Sequence, residues 1–361
     1  MSVGEIARRT SYASADRDSR GLRRALMTDA LAWSRATIPG VGAAAAIAMV
    51  ATVAGGAVPL VGAPVIAIVC GMLISVIRGP AAPRLRPGIA FTARKVLQAS
   101  IVVLGCGLSL GRVLSTGARS LPVLAGSLVI TLTVAWLAGR ALGLGGTVRT
   151  LIGVGTAICG ASAIAATDAV IDADEADVSY AVATIFTFNV VAVLLYPALG
   201  HLLGFSGHTF GLWAGTAIND LSSVVAASTV YGHAAASYGV IVKLTRTLAI
   251  IPICLGLAML RGSRQGDAPR RLQAKRILPL FIVAFVAAVA ANTLGLIPHG
   301  WHTGLSDAST WMITAALAAI GLSTDIGHIR RTGLRPLALG AILWVTVGLA
   351  SLGLQAATGT L

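Results

Sequence analysis

The sequence is a succession of apolar segments, each about as long as a helix that crosses a lipid bilayer. A spanning helix needs roughly 20 mostly apolar residues, and eleven stretches of the chain meet that description. In order they are 38–57, 60–77, 91–110, 119–139, 149–171, 179–199, 208–230, 234–260, 277–297, 308–327 and 335–357. This pattern predicts an all-α integral membrane protein of about eleven transmembrane segments.

The composition excludes a soluble fold. Only 11% of the residues are charged and 56% are hydrophobic, whereas soluble domains carry about 25% charged residues. The net charge of +14 is typical of basic cytoplasmic loops, and nucleic acid is not an expected partner. Residues 1–36 are predicted to form a basic, partly disordered cytoplasmic tail, and residues 37–361 a polytopic membrane domain.

Basic residues predict the orientation, because Lys and Arg of short loops stay in the cytoplasm. They cluster in the tail and in alternate loops, at 78–95, 140–149, 261–276 and 330–335. Eleven crossings of the cell (inner) membrane, with a cytoplasmic N-terminus, satisfy this pattern. One alternative stays open: the rule is met equally well if segments 149–171 and 208–230 are both re-entrant hairpins.

Eleven segments fit one extra helix plus two five-helix repeats of opposite topology, a plan common in secondary transporters. Segment 149–171 then pairs with segment 308–327, where Ser323 and Thr324 lie in a Gly/Ser/Thr stretch expected to break the helix. A second similarity relates Gly155–Val170 to Gly215–Val230, since both begin Gly-Thr-Ala-Ile. That 60-residue echo does not fit the five-helix offset and is attributed largely to composition.

Segment 149–171 contains an unusually polar and small-residue stretch, GTAICGASAIAATDAV. A break in the helix here would free backbone N–H groups, and the N-terminus of the following half-helix favours an anion. The candidate substrate-binding residues are Gly155, Thr156, Cys159, Gly160, Ala161 and Ser162. The alternative is close helix packing through small residues.

Few charged residues lie deep in the apolar segments, where a charge is costly and usually marks function. Asp220 follows Asn219 in segment 208–230, and Lys243 and Arg246 share one helix face in the next segment. Two cations and one carboxylate leave a positive charge, which a transported anion would neutralise. Asn219 and Asp220 are predicted to couple or gate transport. The alternatives are an ion pair that merely joins two helices, and a site where Asp220 carries a proton or cation.

Enzyme motifs are missing from the sequence. It has no HExxH, no GxSxG and no Walker A loop, and its six histidines lie near segment ends. The chain is therefore expected to be no enzyme, and to need neither a cofactor nor a metal.

Four blocks resemble a known family: GTAICGASAIAA (155–166), ATIFTFNVVAVLLYPALG (183–200), FGLWAGTAINDLSSVVAA (210–227) and KLTRTLAIIPICL (243–255). They are similar to the YeiH-type family of bacterial membrane proteins, regarded as sulfate exporters and grouped with cation–proton antiporters and anion transporters. The resemblance implies inverted repeats with broken, crossing helices in a mobile core, beside a scaffold that can form a homodimer. Family members usually show a His-Glu pair where this chain has Asn219-Asp220, a difference that bears on proton coupling.

These observations predict a secondary transporter, an exporter of a small anion such as sulfate, that works by alternating access. Its expected partners are the anion, the lipid bilayer, a coupling proton or sodium ion and a second copy of the chain. A proton- or sodium-coupled antiporter with Asp220 as the ion carrier is one alternative. Another is a membrane sensor or assembly subunit that uses the basic tail.

Overall fold

The computed structural model describes residues 33–55, 62–78, 81–265, 280–323 and 333–361, so most of the predicted tail lies outside the described residues. The described chain folds into helices, which we number in chain order. They are α1 Trp33–Gly55, α2 Gly62–Arg78, α3 Arg86–Gly105, α4 Leu110–Ala141, α5 Gly146–Ala157, α6 Ala161–Ile171, α7 Glu175–Leu202, α8 Gly207–Ala217, α9 Leu221–Tyr231, α10 His233–Thr247, α11 Ile250–Gln265, α12 Leu280–Thr293, α13 His302–Ser323 and α14 Leu334–Ala357.

Within the described ranges, seven stretches are helical, long and apolar enough to cross a membrane. They are α1, α3, α4, α7, the stretch His233–Leu257 formed by α10 and the start of α11, α13 and α14. The apolar helices α2 and α12 are shorter. An all-helical, multi-span membrane protein is therefore confirmed, whereas eleven spans are not.

Segment 208–230 forms a hairpin that turns back within the fold. The ring of Phe210 near the start of α8 stacks on Tyr231 at the end of α9, with centroids 3.8 Å apart. In one straight helix these residues would lie about 30 Å apart. Tyr231 also donates a hydrogen bond to the carbonyl of Phe205, just before α8. We call residues 207–231 hairpin 2; its tip is Ile218–Asp220.

The helix that follows hairpin 2 confirms the reversal. A Cβ placed on Gly207, Gly211 or Gly215 of α8 would contact residues 234–235, 235–239 and 239–242 of α10, respectively. The two helices thus run parallel from the same level. The intervening α9 must return to that level, which only a hairpin allows.

Segment 149–171 also turns back, and we call residues 146–171 hairpin 1. A Cβ on Gly155 would lie 3.0 Å from the side chain of Ile164, nine positions later, although a straight helix separates such residues by about 13 Å. Ala163 on the returning arm packs in a buried apolar cluster with Ile250 of α11. The re-entrant alternative left open by the sequence is therefore the one the fold adopts.

The two hairpins enter from opposite sides and meet at their tips. The 28-residue α7 joins the end of hairpin 1 to the start of hairpin 2, so their bases lie at its two ends. At the centre, a Cβ on Gly160 would lie 3.2 Å from the Cβ of Asp220. The expectation of broken, crossing segments thus takes the form of two hairpins that touch tip to tip.

The helix α13 is continuous as far as Ser323, so it is unbroken at Gly321, and the rest of the stretch expected to break, from Thr324 onward, lies outside the described residues. Its glycine serves packing instead. A Cβ on Gly321 would collide with the backbone of Ile68 and Met72 in α2, and one on Gly71 would collide with α13. Small residues allow membrane helices to approach this closely. The expected pairing of segment 149–171 with segment 308–327, and with it the five-helix repeat plan, is not confirmed.

The helices form two groups joined by an apolar interface. The first, the hairpin group, contains α4–α11 and α14; the second, the panel, contains α1–α3, α12 and α13. A buried cluster lies between them, with Val225, Val240 and Leu244 from the hairpin group and Ile101, Phe285 and Leu317 among those from the panel. Two hydrogen bonds at one end of this interface connect α12 to the α3–α4 link and the start of α4. Asn292 donates to the Leu108 carbonyl, and the Leu110 amide donates to the Thr293 hydroxyl.

Candidate functional site

The two hairpin tips occupy equivalent positions in the 60-residue echo. The first arms end at Ala157 and Ala217, and the second arms begin at Ala161 and Leu221. The tips read Ile158-Cys159-Gly160 and Ile218-Asn219-Asp220. An offset of 60 therefore relates the breaks residue for residue, and the echo is structural rather than compositional.

Lys243 bridges the two tips from α10. Its side chain is fully buried, and Nζ donates hydrogen bonds of 2.7 Å to the carbonyl of Ile158 and 2.7 Å to that of Ile218. Each carbonyl is the first beyond the last helical residue of an arm. A single ammonium group thus holds both tips.

Arg246 continues the same arrangement one turn later. Its Nε donates to the carbonyl of Ala157 at 2.6 Å and Nη2 to that of Thr156 at 3.3 Å. Its Nη1 donates to the carbonyl of Thr216 in the other hairpin. A helix C-terminus carries partial negative charge, which cations stabilise. Lys243 and Arg246 therefore cap the first arms of both hairpins, as a junction made through backbone carbonyls.

Asp220 does not form the ion pair that the sequence left open as an alternative. It is the N-cap of α9, where Oδ2 accepts hydrogen bonds from the amides of Ser222 and Ser223 and from the Ser222 hydroxyl. Such a cap stabilises a helix by about 1 kcal/mol. Among the described residues, Asp220 Oδ1 and the side-chain oxygen of Asn219 are buried without a hydrogen-bond partner.

The corresponding position in hairpin 1 has no side chain at all. Gly160 is the N-cap of α6 with φ 71° and ψ −131°, and no side chain caps this helix. Ser162 in the first turn is exposed and Ala161 is half-buried. Cys159 is buried. The N-terminus of α6 is thus accessible at Ser162, beside a buried tip.

The structure brings most of the predicted site residues together. Gly155, Thr156, Cys159, Gly160, Ala161 and Ser162 lie at or next to the tip of hairpin 1, and Asn219, Asp220, Lys243 and Arg246 meet them there. Ser323 is apart from this set: it is exposed at the end of α13, where its hydroxyl donates to the Ile320 carbonyl at 2.9 Å. Thr324 lies outside the described residues.

Sequence reasoning missed a buried polar connection between hairpin 2 and α14. The hydroxyl of Thr216 bonds that of Ser351, which also accepts from Gln355 Nε2 at 3.1 Å. Trp213 Nε1 donates to the Gly348 carbonyl at 3.0 Å. Ser351 and Gln355 are four apart in an apolar helix and fully buried. That spacing of polar residues on one helix face was the available signal.

The fold and the site define a class: a multi-span helical membrane protein with two re-entrant hairpins whose tips meet at buried cations. The chain belongs to the family described as Conserved hypothetical protein 698, whose model matches residues 39–340. The resemblance to the YeiH-type family is thereby confirmed.

Its relatives are membrane proteins of the UPF0324 group. One from Streptococcus pyogenes serotype M18 is 40% identical over 332 residues, covering 89% of this chain and 97% of that protein. Another, from Streptococcus pneumoniae serotype 4, is 42% identical over 313 residues, covering 84% and 92%. A third, from Fusobacterium nucleatum, is 38% identical over 321 residues, covering 83% and 92%. No solved structure matches the chain.

Proposed function

We propose that this protein is a secondary transporter of a small anion, with the site at the meeting hairpin tips. The observation that carries the proposal is the pair of fully buried cations at this point. Lys243 and Arg246 bring two positive charges to the tips, and Asp220 brings one negative charge. A buried excess of charge is costly unless a partner neutralises it. An anion that enters the site supplies that partner.

The anion is expected at the N-terminus of α6. Free backbone N–H groups and the helix dipole make a helix N-terminus favourable for negative charge. In hairpin 2 the Asp220 carboxylate occupies the equivalent place on α9. At α6 that place is left open by Gly160. An anion from solution, such as sulfate, would therefore bind at α6 in the place that the Asp220 carboxylate occupies at α9.

Lys243 and Arg246 would then favour anion binding through their positive charge and by holding the two hairpin tips in place. Both donate to carbonyls in the present conformation, so the anion binds in their field rather than replacing those bonds. Asn219 and Asp220 are assigned the coupling role. Gly155, Thr156, Cys159, Gly160, Ala161 and Ser162 provide the hairpin that surrounds the anion.

Alternating access would follow from movement of the hairpin group against the panel. Their interface is a buried apolar cluster, which can shift without breaking many hydrogen bonds. Each hairpin plus its following long helix crosses the membrane once, so consecutive units have opposite topology. The inverted-repeat plan is therefore proposed for these shorter units. A homodimer built on the panel, and an inner-membrane location with a cytoplasmic N-terminus, belong to the same proposal.

Anion binding to purified protein tests the proposal. Apparent melting temperature would be followed by intrinsic tryptophan fluorescence across sulfate, methanesulfonate, phosphate, acetate and chloride at constant sodium and ionic strength. A ligand at 100 times its Kd stabilises the folded state by about 2.7 kcal/mol. Sulfate flux into proteoliposomes would then be measured for any anion-responsive preparation.

Two matched variants localise the effect. Ser162→Val places a branched side chain at the open N-terminus of α6 and should remove anion stabilisation. Ala165→Val makes a comparable change at another exposed position, one turn further on, and should leave it unchanged. Equal anion responses in wild type and Ser162→Val would refute this site.

One observation favours the antiporter alternative. The Oδ1 atom of Asp220 is buried and has no partner among the described residues, as expected of a group that carries a proton or cation. Cation flux opposite to anion flux in the same vesicles would support antiport, and flux in the same direction would support symport.

A further inference from the structure

The tip of hairpin 2 presents two buried oxygen atoms that lack hydrogen-bond donors. They are the side-chain oxygen of Asn219 and Oδ1 of Asp220, on consecutive residues. Asn219 is 1% exposed. Buried polar atoms are nearly always satisfied, and each one that is not costs about 1–3 kcal/mol. A ligand that satisfies both oxygens must carry positive charge or hydrogen-bond donors.

The neighbouring cations do not meet this need. Lys243 Nζ donates to the carbonyls of Ile158 and Ile218, and the donors of Arg246 go to three other carbonyls. The donors at the start of α9 all converge on the other carboxylate oxygen, Oδ2. An anion, which offers acceptors only, cannot satisfy these oxygens either.

We infer that Asn219 and Asp220 bind a monovalent alkali cation such as Na⁺. Carboxylate and amide oxygens are hard ligands and suit hard cations. Both oxygens are buried, which favours a bare ion over an organic ammonium group. The described residues contain no group of three or more His, Cys, Asp or Glu that could hold a metal ion, which disfavours a transition metal.

The formal charges give this cation a specific role, which rests on the proposed anion transport. Lys243, Arg246 and Asp220 together leave one positive charge. A monovalent anion neutralises the site alone, whereas a divalent anion such as sulfate leaves one negative charge. One Na⁺ at hairpin 2 restores neutrality. The site therefore binds sulfate together with Na⁺, and binds a monovalent anion without it.

The experiment uses full-length protein in detergent. Apparent melting temperature is measured against NaCl, with choline chloride keeping ionic strength constant, first without other anions and then with sulfate or methanesulfonate. The second anion has a similar shape and one charge fewer. We expect sulfate affinity to rise about tenfold or more with saturating Na⁺, the effect of a coupling free energy of about 1.4 kcal/mol, and Na⁺ without sulfate to stabilise the wild type only weakly, because it then adds to an existing positive charge. Methanesulfonate affinity should stay constant.

Three variants assign the cation to this tip. Asp220→Asn keeps an N-cap residue but removes the charge, and should abolish the Na⁺ response. Asn219→Leu removes one oxygen ligand and should weaken Na⁺ binding about tenfold. Asp168→Asn is the control, because its carboxylate accepts a hydrogen bond from the Ala173 amide near the base of hairpin 1, and it should respond like wild type.

Several outcomes would overturn the inference. Equal stabilisation by choline indicates an ionic-strength effect only. A response to pH but not to Na⁺ that disappears in Asp220→Asn assigns a proton to the tip instead. Sulfate stabilisation that is independent of Na⁺ leaves the proposed transport function intact and removes the cation site. A Na⁺ response without any response to anions does the reverse.

Discussion

Hairpin 1 and hairpin 2 share a plan, yet they differ at the start of their second arms. Both have a first arm that ends in Gly-Thr-Ala and is followed by Ile at the tip, and Lys243 and Arg246 hold both of these arm ends through backbone carbonyls. Hairpin 2 then caps α9 with the Asp220 carboxylate, whereas hairpin 1 begins α6 at a glycine with no side-chain cap. The protein thus supplies its own anion at one tip and none at the other.

The surroundings of the two hairpins differ as well. Hairpin 2 is tied to α14 by hydrogen bonds through Thr216, Ser351 and Trp213. Hairpin 1 packs against α4, α7 and α14 through an apolar cluster that includes Leu151, Ile164 and Leu343. This contrast indicates that hairpin 2 is fixed to α14 by polar contacts. In hairpin 1, the N-terminus of α6 is accessible to a ligand.

The largest effect is expected from Lys243→Met, because this residue serves both hairpins. The change removes two hydrogen bonds to a charged donor, each worth about 1.5–3 kcal/mol, so stability should fall by about 3 kcal/mol or more. Hydrogen exchange measured by mass spectrometry should increase at both tips equally. Lys95→Met, at an exposed position on α3, should change stability by no more than about 0.5 kcal/mol. Increased exchange at one tip only would show that the shared junction is wrong.

Gly160→Ala should have a smaller effect, confined to hairpin 1. The positive φ strains any side chain by about 1–3 kcal/mol, and the new Cβ would press against Asp220 and Ile185. Anion stabilisation should be lost together with part of the thermal stability. The control is Gly111→Ala in α4, where a Cβ meets nothing within 4 Å and should stabilise the helix by about 0.5–1 kcal/mol. Wild-type anion binding in Gly160→Ala would contradict the assigned geometry.

The smallest effect is expected from Ser351→Ala, which tests the attachment of hairpin 2 to α14. It removes the bonds that Ser351 makes to Thr216 and Gln355 and should cost about 1–2 kcal/mol. Hydrogen exchange should increase in α8 and stay unchanged in α5. Ser115→Ala, on an exposed face of α4, is the matched control. Unchanged exchange in α8 would remove the proposed difference in support between the hairpins.

Much of the fold could be predicted from the sequence because the bilayer imposes a length and a composition on every spanning helix. The same rule could not decide whether segments 149–171 and 208–230 cross the membrane or turn back, since a re-entrant hairpin of two short arms is as apolar as one crossing helix. The sequence also predicts a break in the Gly/Ser/Thr stretch around Gly321, whereas α13 continues through this glycine to Ser323. A packing glycine and a breaking glycine look alike in sequence, and the neighbouring α2 distinguishes them.

The candidate site was recognised through the cost of burying charge. Lys243, Arg246 and Asp220 stood out because few charged residues lie so deep in apolar segments, and the structure gathers them at one point. Their partners could not be predicted, because a cation can bond a carboxylate or a free backbone carbonyl. Which of these it meets depends on where the helices end.

The sequence by itself determined that this chain is a helical membrane protein with charged groups at depth, since apolar length and charge burial are local properties. Only the tertiary structure decided that two segments turn back, that their tips meet, and that the cations cap helix ends. Those features depend on contacts between residues far apart in the chain, such as Lys243 with Ile158 and Ile218. The 60-residue echo is present in the sequence, but only the structure shows that it relates two hairpins whose tips meet.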